Sequence, residues 1–384
     1  MKRKLLTGAM VINTLLMIAF TLYLMKLPWL AGDEKFLIWS TSALKFADRE
    51  APPSEDFALI NTSYDLQLID RYDEFGFPVG NQVITDRAKL AQLLEVINSG
   101  ESRPKFIICD IHFVDSTESD EALRQQLLAD NVIISSHLDA DLNFENQLFE
   151  EANHGISDYV IGSVFDGVYK YQLIYRDSLK LLPLKVHEVL SGTSAKRVGP
   201  FVRLDDGWTM NNFIMNYRVL QKDIEDFEAG FNPVNLGELL FLDDQDIRDY
   251  TADKIVIIGD FFEQDMHETI FEITAGPLIL LNAYLTIRDG ETSVNIIFFL
   301  LLFAVFAYLS FMVFTEGDVI EKKIRQIAKT KATRYMAGFT SYFVILTILS
   351  ITTFFLFNIH LNVFFIALAF YLEDRLVGLF VYKS

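Results

Sequence analysis

Two stretches of this 384-residue chain end an apolar run in an acidic loop. Phe106-Ile107-Ile108-Cys109-Asp110 leads into Asp115, Glu118 and Asp120. Lys254-Ile255-Val256-Ile257-Ile258-Gly259 leads into Asp260, Glu263, Asp265, His267 and Glu268. Short continuous apolar runs of this kind read as buried parallel strands, and open α/β sheets take their ligands at the C-terminal ends of such strands. Asp110, Asp115, Asp260, Asp265 and His267 are therefore the candidate ligand-binding residues, with Asp110 and Asp260 best placed to line a pocket together. Carboxylates alone suit Mg²⁺ or Ca²⁺ through oxygen ligands. Carboxylates with a histidine suit a metal ion or a general acid/base pair. Ordinary hydrophilic loops, with Asp120 capping a helix, account for the same residues, so no metal is assigned and no cofactor is called for.

Other chemistries lack their signatures. There is no glycine-rich phosphate loop, no G-x-S-x-G elbow and no H-E-x-x-H. Ser135 and Ser136 have only the adjacent His137 as a base, and strand alternation directs it to the face opposite Ser136. The single cysteine, Cys109, excludes an internal disulfide and reads as a small core residue. Catalysis is not expected.

The elements that must position these loops alternate. Phe57–Thr62 is a strand, 86–98 a helix behind an Asp86 cap, 105–113 a strand, 118–130 a helix, and 131–136 a third strand. The expected core is an α/β fold, a mainly parallel sheet flanked by helices. Asp166-Gly167 reads as a hairpin turn between 159–165 and 168–175. A helix over 178–190 ends at Gly192, 212–217 is another strand, and 277–288 is a helix leading on to an apolar segment. Residues 33–55 read as a stalk helix ended by Pro52-Pro53.

Composition places this core. Half the residues are hydrophobic (51%), mean hydropathy is +0.25, yet the formal charge is −19. The acids are segregated: residues 31–293 carry a net −26 and the remainder a net +7. So acidic a chain is unsuited to nucleic-acid binding, which needs clustered Lys and Arg. Leu5–Met25, Thr292–Thr315 and Tyr335–Leu372 are free of Asp, Glu, Lys and Arg, and the last is long enough for nearly two crossings with a turn at Asn358-Ile359-His360. About four transmembrane helices are expected, one N-terminal and three C-terminal. Lys2, Arg3 and Lys4, and the basic connector 316–334, mark the cytoplasmic side, with Lys26 weakly opposed. The expected layout is a retained N-terminal helix within 1–30, an extracytoplasmic domain over 31–293, and three helices within 294–384. The connector could also contact anionic lipid or a cytoplasmic partner. Glu373-Asp374-Arg375 falls late in the fourth helix, where charge is costly unless paired, and is the candidate contact with a partner helix or second copy; an interfacial tail is the alternative.

The ordered motifs resemble the CHASE2 family, an extracytoplasmic sensor domain of bacterial membrane signalling proteins. The resemblance is carried by Phe106–Asp110 with Phe113, Asp120 and Leu123, Asn131-Val132-Ile133, Asp166-Gly167-Val168 with Lys170, and Phe213–Tyr217 with Arg218. It continues through Lys254–Gly259, then Gly276 with Asn282-Ala283. Where the family often has Trp-Pro and Arg, this chain has Phe77-Pro78 and Asp86-Arg87. Its His-Ala-Asn element is reduced to Leu281-Asn282-Ala283. Members commonly continue into a cyclase, kinase or similar output domain, whereas this sequence runs only to Ser384. The resemblance implies a non-enzymatic polytopic sensor or scaffold subunit of a bacterial cytoplasmic (inner) membrane, with its large domain in the periplasm or outside, that acts through other membrane or envelope proteins or as a homo-oligomer in the lipid bilayer. The alternatives are a stand-alone periplasmic module binding a small molecule or ion, and a periplasmic metal-dependent hydrolase.

Overall fold

A computed structural model describes residues 2–27, 34–47, 49–72, 75–139, 141, 143–145, 148–159, 167–176, 178–204, 207–315, 323, 326 and 331–381. The chain divides into two compact units. One comprises Arg49–Ala195 with Met215–Asp289, the other Met1–Asp48, Lys196–Ile214 and Gly290–Ser384.

The first unit is built on a six-stranded sheet: β1 (Phe57–Asn61), β2 (Phe106–Asp110), β3 (Val132–Ser136), β4 (His154–Ile156), β5 (Val234–Asn235) and β6 (Ile255–Gly259). The order is β5-β1-β6-β2-β3-β4 and every pairing is parallel. Successive side chains on a strand face opposite ways. On one face Ala58, Ile60, Ile107, Cys109, Val132, Ile134, Val256 and Ile258 pack on Leu90, Leu93, Leu94 and Ile97 of the Arg87–Asn98 helix, and on Leu123 and Leu127 of Asp120–Leu127. Leu236, Leu239 and Ile247 join the same core.

That shared face follows from connectivity. The crossovers β1→β2, β2→β3 and β5→β6 all advance in one direction across the sheet, and right-handed crossovers advancing one way place their helices on one side. The connection leaving β6 goes to the Gly276–Arg288 helix, which is buried from Gly276 to Ile287 and packs on β6 and on the Leu182–Ser191 helix. The predicted boundaries hold locally: Asp86 caps its helix by accepting from the Ala88 and Lys89 amides, and Gly192 ends its helix at φ +68°.

Four antiparallel elements among the described residues are absent from the sequence reading: Leu66–Tyr72 with Pro78–Thr85, Ile174–Tyr175 with Leu179–Lys180 (which delays the expected helix to Leu182), Met266–Glu268 with Ile273–Ala275, and a three-stranded sheet within 196–210 in the second unit. The stalk helix is present as Glu34–Phe46; its junction with the first span falls at 28–33, outside the described residues. The expected Asp166-Gly167 hairpin falls mostly outside them too, as does most of the connector 316–334.

Among the described residues of the second unit, three helices are long and apolar enough to cross a membrane: Leu6–Lys26, Ile296–Thr315 and Ala337–Phe357. This corrects the expectation of four. The fourth helix exists, Val363–Val381, but Glu373, Asp374 and Arg375 interrupt its apolar character, each charge costing about 3 kcal/mol near a bilayer centre. The turn before it is as expected: Asn358 adopts φ +55°, and its amide donates to the Ile214 carbonyl at 2.7 Å.

Candidate functional site

Because all six strands run parallel, their C-terminal ends share one edge, and a cavity of about 510 Å³ opens there. The connection leaving β6 turns to one face and that leaving β2 to the other, which parts the loops and leaves a crevice between them. Asp110, Asp115, Asp260, Asp265 and His267 all line this cavity. Residues not singled out from the sequence join them, notably Arg87, His112, His137, Asp158, Tyr159 and the hairpin residues Gln82–Thr85.

Asp110 ends β2. Its Oδ1 accepts from Ser135 Oγ on β3, while its Oδ2 is buried and makes no hydrogen bond with the described residues. Burial, then the neighbouring Asp265 charge, pushes its pKa up to about 7, against the opposing pull of Ser135, His137 and His267.

Asp260 is different. It accepts from Ser63 Oγ at 2.5 Å and from the amides of Phe262, Glu263 and Gln264 at 2.8–3.0 Å. Burial alone would raise its pKa, but these four donors outweigh burial and hold the carboxyl below its ordinary value. Asp260 thus lines the cavity while its oxygens fold the loop after β6.

Asp265 sits over the start of the Gly276–Arg288 helix. Its carbonyl accepts from the Gly276 amide at 2.8 Å, and a Cβ at Gly276 would collide with its carboxylate. Asp265 Oδ1 lies 2.7 Å from His267 Nε2, and the His267 ring meets Tyr159 edge-on at 4.9 Å. Burial raises the Tyr159 phenol well above its usual pKa, and its hydroxyl donates to the Gly276 carbonyl.

Across the cavity, His137 Nδ1 lies 2.7 Å from Asp158 Oδ1, a bond that raises the imidazole's pKa. His112 packs edge-on against His137 at 4.6 Å, and burial lowers its pKa. Arg87, almost fully buried, pairs with Asp120 at 2.5 Å and lies 5.5 Å over the Phe113 ring. Asp120 also accepts from the Thr117 amide and hydroxyl; it is the half-buried partner of the buried Arg87 and lies in the first turn of its helix, where Ser119 holds the cap position.

Two chemistries are tested by this geometry. Among the described residues no three His, Cys, Asp or Glu side chains converge to hold a metal ion. Ser136 Oγ lies 2.9 Å from His154 Nδ1, a pairing with nucleophile-and-base geometry, but Ser136 is fully buried and stands off the cavity wall. That bond is structural.

In the second unit Glu373 contacts this chain's own helices: Asn13 donates to Glu373 at 3.0 Å and to Ser310 at 3.2 Å. Arg375 lies 5.0 Å over the Tyr371 ring, and Asp374 is also engaged in contacts.

A family model for the CHASE2 domain matches residues 15–312, well over half of the sequence. The chain belongs to the CHASE2-domain family. No curated protein and no solved structure matches it. CHASE2 domains are extracytoplasmic sensor domains, and several CHASE2 motif residues have visible tasks here. Asn282, fully buried, accepts from the Arg218 and Val219 amides and donates to the Val219 and Leu278 carbonyls at 2.7–3.0 Å. Gly167 lets the chain pass against the Glu268–Thr269 backbone, where a Cβ would come within 2.9 Å of the Thr269 carbonyl. Arg87, which stands where the family often has an Arg, is the buried cation of the cavity wall.

Proposed function

We propose that this protein is a non-enzymatic sensor subunit of a bacterial inner membrane, whose periplasmic CHASE2 domain binds a small ligand at the strand-end cavity and acts through partner proteins or a second copy. The observation carrying the reading is convergence: two separate acidic loops, more than a hundred residues apart in sequence, line one cavity together with three imidazoles. A cavity of about 510 Å³ lies within the size range of small-molecule sites. The strand that supplies Asp260 runs on through the Gly276–Arg288 helix to the apolar Ile296–Thr315 helix, so the sensing loop and a membrane segment are consecutive in the chain. The hairpin whose base lines the cavity also displays exposed Leu68, Phe77 and Val79, an apolar surface suited to a protein partner.

Affinity capture of the tagged chain from native membranes tests this. A co-purifying protein in stoichiometric amount, or a stable homo-oligomer, is expected; a monomer in mild detergent with nothing bound contradicts it.

A further inference from the structure

We infer that the ligand of the strand-end cavity is a small organic cation, an alkyl- or arylammonium whose charged nitrogen sits at the Asp110–Asp115 side. This rests on the cavity being the sensing site, and adds the chemistry of what it senses.

The basic side chains already on the wall are engaged. Arg87 is paired with Asp120, His137 with Asp158 and His267 with Asp265, and His112 Nε2 faces Glu145 at 3.4 Å. Asp260 has four donors of its own. What remains is acceptor capacity: Asp110 Oδ2, buried and without a partner among the described residues, and Asp115, which forms no ion pair with them. Buried acceptors that lack a donor are the exception in folded proteins and call for one. An ammonium supplies three donors and a positive charge at one point.

A bare metal ion fits less well, because no three ligating side chains converge among the described residues. An anion would face these carboxylates, and the one Arg or Lys among the described lining residues, Arg87, is already paired with Asp120. The rest of the wall suits a hydrocarbon body: Leu66, Val83, Ile84, Ile111 and Val114 contribute apolar surface, and Tyr159 an aromatic ring.

The test is isothermal titration of the full-length protein in mild detergent with butylamine, benzylamine, butanol, butyrate, MgCl₂ and CaCl₂. The amines are expected to bind, butanol and butyrate at least tenfold more weakly, and Asp110→Asn with Asp115→Asn to weaken amine binding at least tenfold. Asp246→Asn, on an exposed helix face, serves as the control. The assignment is overturned if butyrate or butanol matches butylamine, if a divalent ion binds and the amines do not, if no probe binds, or if both cavity variants bind amine like wild type. Should Asp110→Asn fail to fold, Asp115→Asn and the wild-type ranking of butylamine, butanol and butyrate still decide. A neutral or anionic preference overturns the cation assignment alone. An unchanged partner set after cavity substitution overturns the sensor reading alone.

Discussion

Asp110 and Asp260 look alike in sequence, each closing an apolar strand, but their surroundings give them opposite properties. Asp110 has a buried oxygen without a hydrogen-bond partner among the described residues, and a pKa raised to about 7. A carboxyl raised from its ordinary 3.8 stabilises the fold fully only below that ordinary value, and the contribution is lost as pH climbs through about 7. Asp110→Asn removes this dependence. The melting temperature of wild type relative to the variant should therefore fall between pH 4 and 7 and level off above, by an amount worth at most about 4 kcal/mol; a flat difference across that range would refute the assignment. Asp260 has the reverse sign: its lowered pKa gives stability present above the ordinary value and lost on acidification through the folded value. Asp260→Ala leaves three amides and a hydroxyl without their acceptor and should cost about 2 kcal/mol in denaturant unfolding near neutral pH. Arg87→Met strands the Asp120 carboxylate and should cost about 3–5 kcal/mol. All five predicted cavity residues were legible because apolar strands announce their own ends. Arg87, His137 and Asp158 were not, since what fixes them on the wall is pairing between residues distant in sequence, His137 with Asp158 and Arg87 with Asp120. Asp158 follows a strand of only three residues, and Arg87 is buried through a pairing made 33 residues away.

At the scale of elements, the cavity depends on two close approaches. Gly259 ends β6 where a Cβ would come within 2.6 Å of Pro277, and Gly276 starts the following helix under the Asp265 carboxylate. Gly276→Ala should push Asp265 off the helix start and separate it from His267. The expected readout is destabilisation of at least about 1 kcal/mol, with a changed His267 ring signal in NMR; a variant with wild-type stability and spectrum would contradict the packing. The parallel core was readable because continuous apolar runs alternating with amphipathic helices leave few other arrangements. The Leu66–Thr85 hairpin was hidden for the opposite reason. One of its strands, Pro78–Thr85, is mostly exposed, so burial imposes little pattern on it, and the sequence between the two strands offers no tight two-residue turn signal. The fourth apolar helix was found in the right place, but its crossing was misjudged: the uncharged stretch ended at Leu372, and the helix runs on through the charged triplet to Val381.

For the whole molecule, the charge segregation and the three apolar helices support a domain held outside the cytoplasm. Cys109 makes this testable, because it is fully buried and burial raises its thiol pKa, so it stays unreactive in the folded protein. Ser102→Cys, on the exposed surface, should label with a membrane-impermeant maleimide in intact cells with a permeabilised outer envelope, whereas Ala328→Cys in the basic connector should label only after lysis. The reverse pattern would invert the topology. The central claim, that the cavity governs association with partners, is met most directly by quantitative capture of the tagged full chain from native membranes, wild type against Asp110→Asn with Asp115→Asn. The account predicts a stoichiometric partner or second copy whose recovery changes severalfold in the double variant at equal folded protein. Equal recovery from both, or no partner from either, would contradict it.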